Sequence, residues 1–419
     1  MNRLIFTTFV CASLWAGSDG WTVWSPRPGI APRTFRDATV TRDGSPTLAM
    51  SGDSNPAVFG GWQKTIAAIK PGTWYRFRAD YRADGLDYAA RQILPRLDWL
   101  NDKGKRTGQP EYPFTSRPNG DWTSITLDAP APAGAVAVNV QLLLVNAPRA
   151  TVWWDRVSLE PADAPKPRPV SVTTVNVFPR KATDPVGEFL AVLEKTLPAR
   201  ADIALLPEGI TLVGTAKTYA DVAEPIPGPT TERLGEFARR KNVWVVAGVM
   251  EREHDTLYNT AVLIDRKGRV AGRYRKVYIP REEFEGGITP GSDYPVFETD
   301  FGKVGLMICW DVQFADPARA LALRGAEMIL MPIWGGNEAL GKARAIENRV
   351  FLVASGYDYP TYIMDPDGEV VSRAFERGTV ATAVVDLSKR YTDSWLGDMR
   401  GRLMKELRGD TVVDPPGRR

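Results

Sequence analysis

Histidine and cysteine are almost missing from this chain of 419 residues, which holds one His, His254, and two Cys, Cys11 and Cys309. So few soft ligands exclude a zinc site of the common His and Cys type. A Cys-His catalytic pair is a poor prospect as well, since His254 lies in the hydrophilic stretch EREHDT. Charge of one sign is also lacking: the net charge is +3, with Lys and Arg interspersed among Asp and Glu, so nothing in the pattern asks for nucleic acid. No segment offers the run of about twenty apolar residues that a spanning helix needs. Internal repeats and low-complexity tracts are absent too.

At the start, MNRLIFTTFVCASLWAGSDG puts Arg3 before an apolar run from Leu4 to Ala16, followed by small and polar residues. That layout predicts a secretory signal over residues 1–20 and an exported mature chain, periplasmic or extracellular. An uncleaved signal would act instead as a membrane anchor. With Cys11 inside the signal, the mature protein keeps Cys309 alone, which cannot form an intramolecular disulfide. A lone cysteine is either a buried apolar residue or a used one.

The length calls for two folded units. Residues 21–160 are short runs such as WYRFRADYRA, VAVNVQLLLV and TVWWDRVSLE, broken by Gly, Pro, Asn and Asp turns. They predict an all-β sandwich, jelly-roll-like, in which the Trp153 and Trp154 pair belongs to the core and its edge rather than to a sugar platform. PADAPKPRP makes residues 161–169 a stiff linker. Over residues 170–410, strands such as DIALLP and VWVVAGVME alternate with helices expected near Val186 to Leu197, Thr231 to Lys241, PARALALRG and EALGKARAIENR. This alternation predicts an α/β domain with its ligand site at the strand ends. Residues 411–419 read as a polar tail.

Three segments, LLPEG, YRKVYIP and MICWD, each set one reactive side chain just beyond an apolar strand: Glu208, Lys276 and Cys309. A thiol there needs a base or a nearby cation to become a nucleophile, and with histidine discounted a Glu-Lys-Cys centre is the simplest arrangement. Taken singly, Glu208 reads as a turn or capping carboxylate and Lys276 as a solvated charge.

In this order and spacing the three segments resemble the signatures of the nitrilase superfamily of carbon-nitrogen hydrolases, and the likeness spans roughly residues 170 to 410. ITPG, RAIENRVFLVASG and GDMRGRLMKEL extend it. The resemblance implies an α-β-β-α sandwich, with Glu208 as general base, Lys276 as electrostatic stabiliser, Cys309 as the nucleophile that forms a thioester, and the backbone N–H of Trp310 as an oxyanion donor. It also implies a second glutamate between the lysine and the cysteine. REEFEGG offers Glu282, Glu283 and Glu285, of which Glu285 best matches the family's spacing to ITPG, with Glu283 second.

The function expected is hydrolysis of a non-peptide carbon-nitrogen bond in a small amide, carbamoyl-amine or nitrile, without metal or other cofactor. Gln313 and Asp316 stand where many relatives carry arginine and glutamate, so no subclass or named substrate is transferred. Acyl transfer through the same thioester is the alternative within the superfamily. A different class of reading is a binding protein with a silent hydrolase domain, since the front sandwich resembles carbohydrate-binding modules and would take a glycan. The family also implies a homo-oligomer.

Overall fold

The computed structural model describes residues 19–179, 183–357 and 361–408. The signal expected over residues 1–20 lies, but for its last two residues, outside them, as does the polar tail. Contacts divide the chain into two compact units, residues 1–165 with 392–419, and residues 166–391. The sequence placed everything from 170 to 410 in the second domain; the segment from Thr392 onward instead groups with the first unit.

The first unit holds two antiparallel sheets of four and six strands that share one apolar core. Side chains alternate as a pleated strand requires: in Trp74–Asp84, Tyr75, Phe77 and Ala79 enter the core while Arg76 and Arg78 point away. Trp154 is buried in that core, and its neighbour Trp153 is half-buried, donating from Nε1 to Asp37 at 2.9 Å. The pair thus divides between the core and the outer face of a strand that is paired on both sides, not a sheet edge.

The helix Met399–Glu406 belongs to this unit and opens with Asp398 capping the backbone N–H groups of Arg400 and Gly401. Its Lys405 is buried and donates to the carbonyl of Ile93 at 3.1 Å.

In the second unit, two six-stranded sheets lie face to face. The first has the parallel strands Pro169–Asn176, Ile203–Leu205 and Trp244–Glu253 at its centre, and the second has Lys303–Leu306, Met328–Pro332 and Phe351–Ser355. Strands buried on both faces read as continuous apolar runs, as Met328–Pro332 does. Val172, Leu205 and Val246 from one sheet meet Val304, Leu306 and Leu330 from the other. Helices Pro185–Thr196 and Pro229–Lys241 cover the outside of the first sheet through Phe189, Leu193, Leu234 and Phe237. Asp316–Leu323 and Glu338–Asn348 cover the second through Leu321, Ala322 and Ala345. The layers run helix, sheet, sheet, helix, and the four helices fall where the sequence placed them.

Burial lowers the Lys405 ammonium from its ordinary 10.5 to about 8. The folded value lies below the unfolded one, so the charged form is penalised: the cost is full below about pH 8 and fades as the pH climbs toward 10.5. The penalty is on the order of 3 kcal/mol. Lys405→Met removes that penalty but also leaves the Ile93 carbonyl without this donor, so a net gain of about 1 kcal/mol is expected, raising the melting temperature at pH 7 by roughly 2–4 °C, with the gain over wild type shrinking toward pH 10. Scanning calorimetry of both proteins across that range checks this; a gain independent of pH would remove the ammonium as its cause.

Candidate active site

Glu208 lies just past strand Ile203–Leu205, Lys276 directly follows strand Val270–Arg275, and Cys309 comes after strand Lys303–Leu306. Strand ends leave backbone free to turn and side chains free to converge. Glu208 reaches its place because Gly248 on the adjoining strand lacks a side chain; a Cβ there would stand 2.6 Å from the Cα of Glu208.

The three segments meet, and two further residues complete the cluster. Lys276 is 1% exposed and donates from Nζ to Glu208 Oε1 at 2.9 Å and to Glu283 Oε1 at 2.5 Å. Asn259 donates from Nδ2 to the same two carboxylates, at 2.6 Å to Glu208 and 3.1 Å to Glu283. The other oxygen of Glu208, Oε2, is buried without a hydrogen-bond partner. Tyr357 donates its hydroxyl to the backbone carbonyl of Glu208.

Glu285, favoured by spacing, lies outside the cluster: it is exposed and pairs with Arg281 at 2.8 Å. Both glutamates belong to the short helix Arg281–Glu285, where residues two apart point to nearly opposite sides. Burying Glu283 beside Lys276 therefore turns Glu285 to solvent. Glu282 is exposed as well and borders the pocket described below. His254 sits exposed at the turn between strands Trp244–Glu253 and Thr256–Ile264, away from these residues, with φ of 55°.

Cys309 opens the short 3-10 turn Cys309–Gln313 with φ of 41°, a conformation that costs a non-glycine residue about 1–3 kcal/mol. The surrounding contacts hold it there. Asp311, fully buried, accepts from the backbone N–H of Ile308 at 2.9 Å, from Tyr274 Oη at 2.7 Å and from the backbone N–H of Tyr278 at 3.0 Å. It thus ties the cysteine turn to the chain on both sides of Lys276. Arg344, from the RAIENR segment, donates to the carbonyls of Val312 and Gln313 at 3.2 and 3.3 Å. In ITPG, Gly291 donates to the Lys276 carbonyl at 2.8 Å, and a Cβ at that position would stand 2.2 Å from the carbonyl oxygen of Arg275. These two motifs brace the lysine and the cysteine. Trp310 follows the cysteine within the turn, and its indole is exposed.

Cys309 lines a cavity of about 280 Å³ with Glu208, Asn259, Glu282 and Glu283, walled by Leu212, Tyr219, Met250, Pro280 and Trp334. Burial, then the charge of Glu208, push the thiol up to about 12, while Lys276 and the backbone at Trp334 and Gly335 act the other way. Lys276 would lose its proton more readily through burial alone, but Glu208, Cys309 and Glu283 together hold it above the ordinary lysine value. Burial and the charge of Glu208 raise Glu283, against the pull of Lys276. Asp311 is pushed up to about 6 by burial, opposed by its three hydrogen bonds. Asn259, Asp311 and Trp334 went unnoticed in the sequence. Only the position of Asn259 near a strand start could have marked it, and nothing local distinguishes Trp334.

The profile of the carbon-nitrogen hydrolase family matches residues 179–395, more than half of the chain. Omega-amidase NIT2 of Mus musculus is 29% identical over 259 residues, which cover 54% of this chain and 91% of that protein. Omega-amidase NIT2 of Xenopus tropicalis is 30% identical over 217 residues, covering 45% and 77%. Among solved structures, Saccharomyces cerevisiae Nit3, a member of branch 10 of the nitrilase superfamily, aligns with a TM-score of 0.49 at 20% identity, over 54% of this chain and 93% of that one. With a family match of this extent and relatives covered over most of their own length, the chain belongs to the carbon-nitrogen hydrolase family.

Proposed function

We propose that this carbon-nitrogen hydrolase cleaves small non-peptide amides through a thioester on Cys309, with Glu208 as base and Lys276 as electrostatic stabiliser. The observation that carries the reading is the division of labour within one carboxylate: Oε1 of Glu208 is engaged by Lys276 and Asn259, while buried Oε2 has no partner. Such an oxygen is suited to accept a proton from a group in the same cavity, and Cys309 lines that cavity. Amide is chosen over carbamoyl-amine and nitrile because the relatives above are omega-amidases.

A thiol pushed up to about 12 is protonated at neutral pH, so its proton leaves as the sulfur attacks. In the proposed sequence, Cys309 Sγ bonds to the amide carbon and its proton passes to Glu208. The positive charge of Lys276 and the Trp310 backbone N–H stabilise the resulting oxyanion. The carbon-nitrogen bond then breaks, and the amine departs with the proton from Glu208. Water, deprotonated by Glu208, adds to the thioester; the carbon-sulfur bond breaks, the acid leaves and the thiol is restored. Glu283 serves as a positioning residue that shares Lys276 and Asn259 with Glu208.

By resemblance to the family we also propose a homo-oligomer in solution; a monomeric mass by light scattering at micromolar protein would exclude it. Intact-protein mass spectrometry with a panel of small amides is expected to show an acyl adduct on wild type and none on Cys309→Ala, which should also release no ammonia. Equal release by the Ala variant would rule out the nucleophile. Glu283→Gln is expected to lower kcat by about 10²-fold or more, whereas Glu285→Gln, an exposed residue, should stay within about twofold. Steady-state ammonia assays on both, with circular dichroism to confirm folding, decide between the two glutamates; the reverse ranking would restore Glu285.

A further inference from the structure

The cavity around Cys309 has a marked sign. Glu208, Glu282 and Glu283 line it, and among the described residues no Lys or Arg does. Lys276 lies hydrogen-bonded to Glu208 and Glu283, so its charge is already answered. Glu282 is different. It is exposed, and among the described residues its carboxylate has no ion-pair partner, because the adjacent Arg281 turns to Glu285 at 2.8 Å. It lines the cavity together with the half-buried Tyr219. The remaining walls are Leu212, Met250, Pro280 and the rings of Tyr219 and Trp334. An apolar sleeve with aromatic faces and a free carboxylate favours a positive charge on the ligand, through Coulomb attraction and ring quadrupoles, and opposes a negative one.

From this geometry we propose that the preferred substrate is a small amide with an ammonium or guanidinium at the end remote from the scissile bond, attracted by Glu282, and that amides bearing a carboxylate there are rejected. This rests on the hydrolase reading above and specifies its substrate class. The amide end is cleaved as before, releasing ammonia, while the cationic end takes no part in bond making.

Three amides of matched length test it: 5-aminopentanamide, pentanamide and 5-amino-5-oxopentanoate. Values of kcat/KM for the full-length enzyme should fall in that order, with at least about tenfold between first and last at low salt. Glu282→Gln should narrow the spread, and Glu282→Lys should invert it. Calorimetric binding of the same amides to Cys309→Ala protein reads the charge preference without turnover. A carboxylate amide bound or cleaved as well as its ammonium counterpart, or an order that Glu282→Lys leaves unchanged, overturns the proposal. If the Ala protein binds the ammonium amide preferentially while the wild type neither forms an acyl adduct with it nor releases ammonia from it, the charge preference stands and the hydrolase reading falls.

Discussion

The ammonium of Lys276 sits almost wholly out of water, and groups from three separate elements have to meet there to keep it. An unpaired buried charge would cost several kcal/mol. Here Glu208 and Glu283 supply the compensating charge, while Asn259 donates a hydrogen bond to each carboxylate. Burial first, and then the charge of Glu208, displace Glu283 and the Cys309 thiol upward, against the pull of Lys276. Both displacements favour the protonated form of the group concerned.

Position of the cysteine depends on a third buried carboxylate. Asp311 accepts from both sides of the lysine segment and from the residue before Cys309, so that two motifs far apart in the chain are joined through one side chain. Arg344 closes the other end of the turn. With those groups in place, the positive φ of Cys309 is offset by fixed hydrogen bonds, and the sulfur faces a cavity formed largely by apolar walls.

The first unit obeys a simpler rule. Alternating strands fill a core between two sheets, and the last helix joins this unit although its sequence adjoins the hydrolase domain. Lys405 stays buried there with the Ile93 carbonyl as its hydrogen-bond acceptor, and burial disfavours its charge.

Much of the hydrolase unit was legible from the chain alone, for a physical reason: alternation of apolar strands with amphipathic helices is a local property, and so is the placing of Glu208, Lys276 and Cys309 just beyond strand ends. Scarcity of histidine and cysteine narrowed the chemistry before any fold was known. The choice among Glu282, Glu283 and Glu285 was not local. Spacing along the chain favoured Glu285, yet a five-residue helix presents Glu283 inward and Glu285 outward, and only the packed neighbours decide which face is buried. Asn259, Asp311 and Trp334 likewise acquire their places from strands and turns distant in sequence. The limit of the C-terminal segment was decided the same way, since which core a helix covers depends on where apolar surface remains to be buried, and that surface exists only once the sheets have formed.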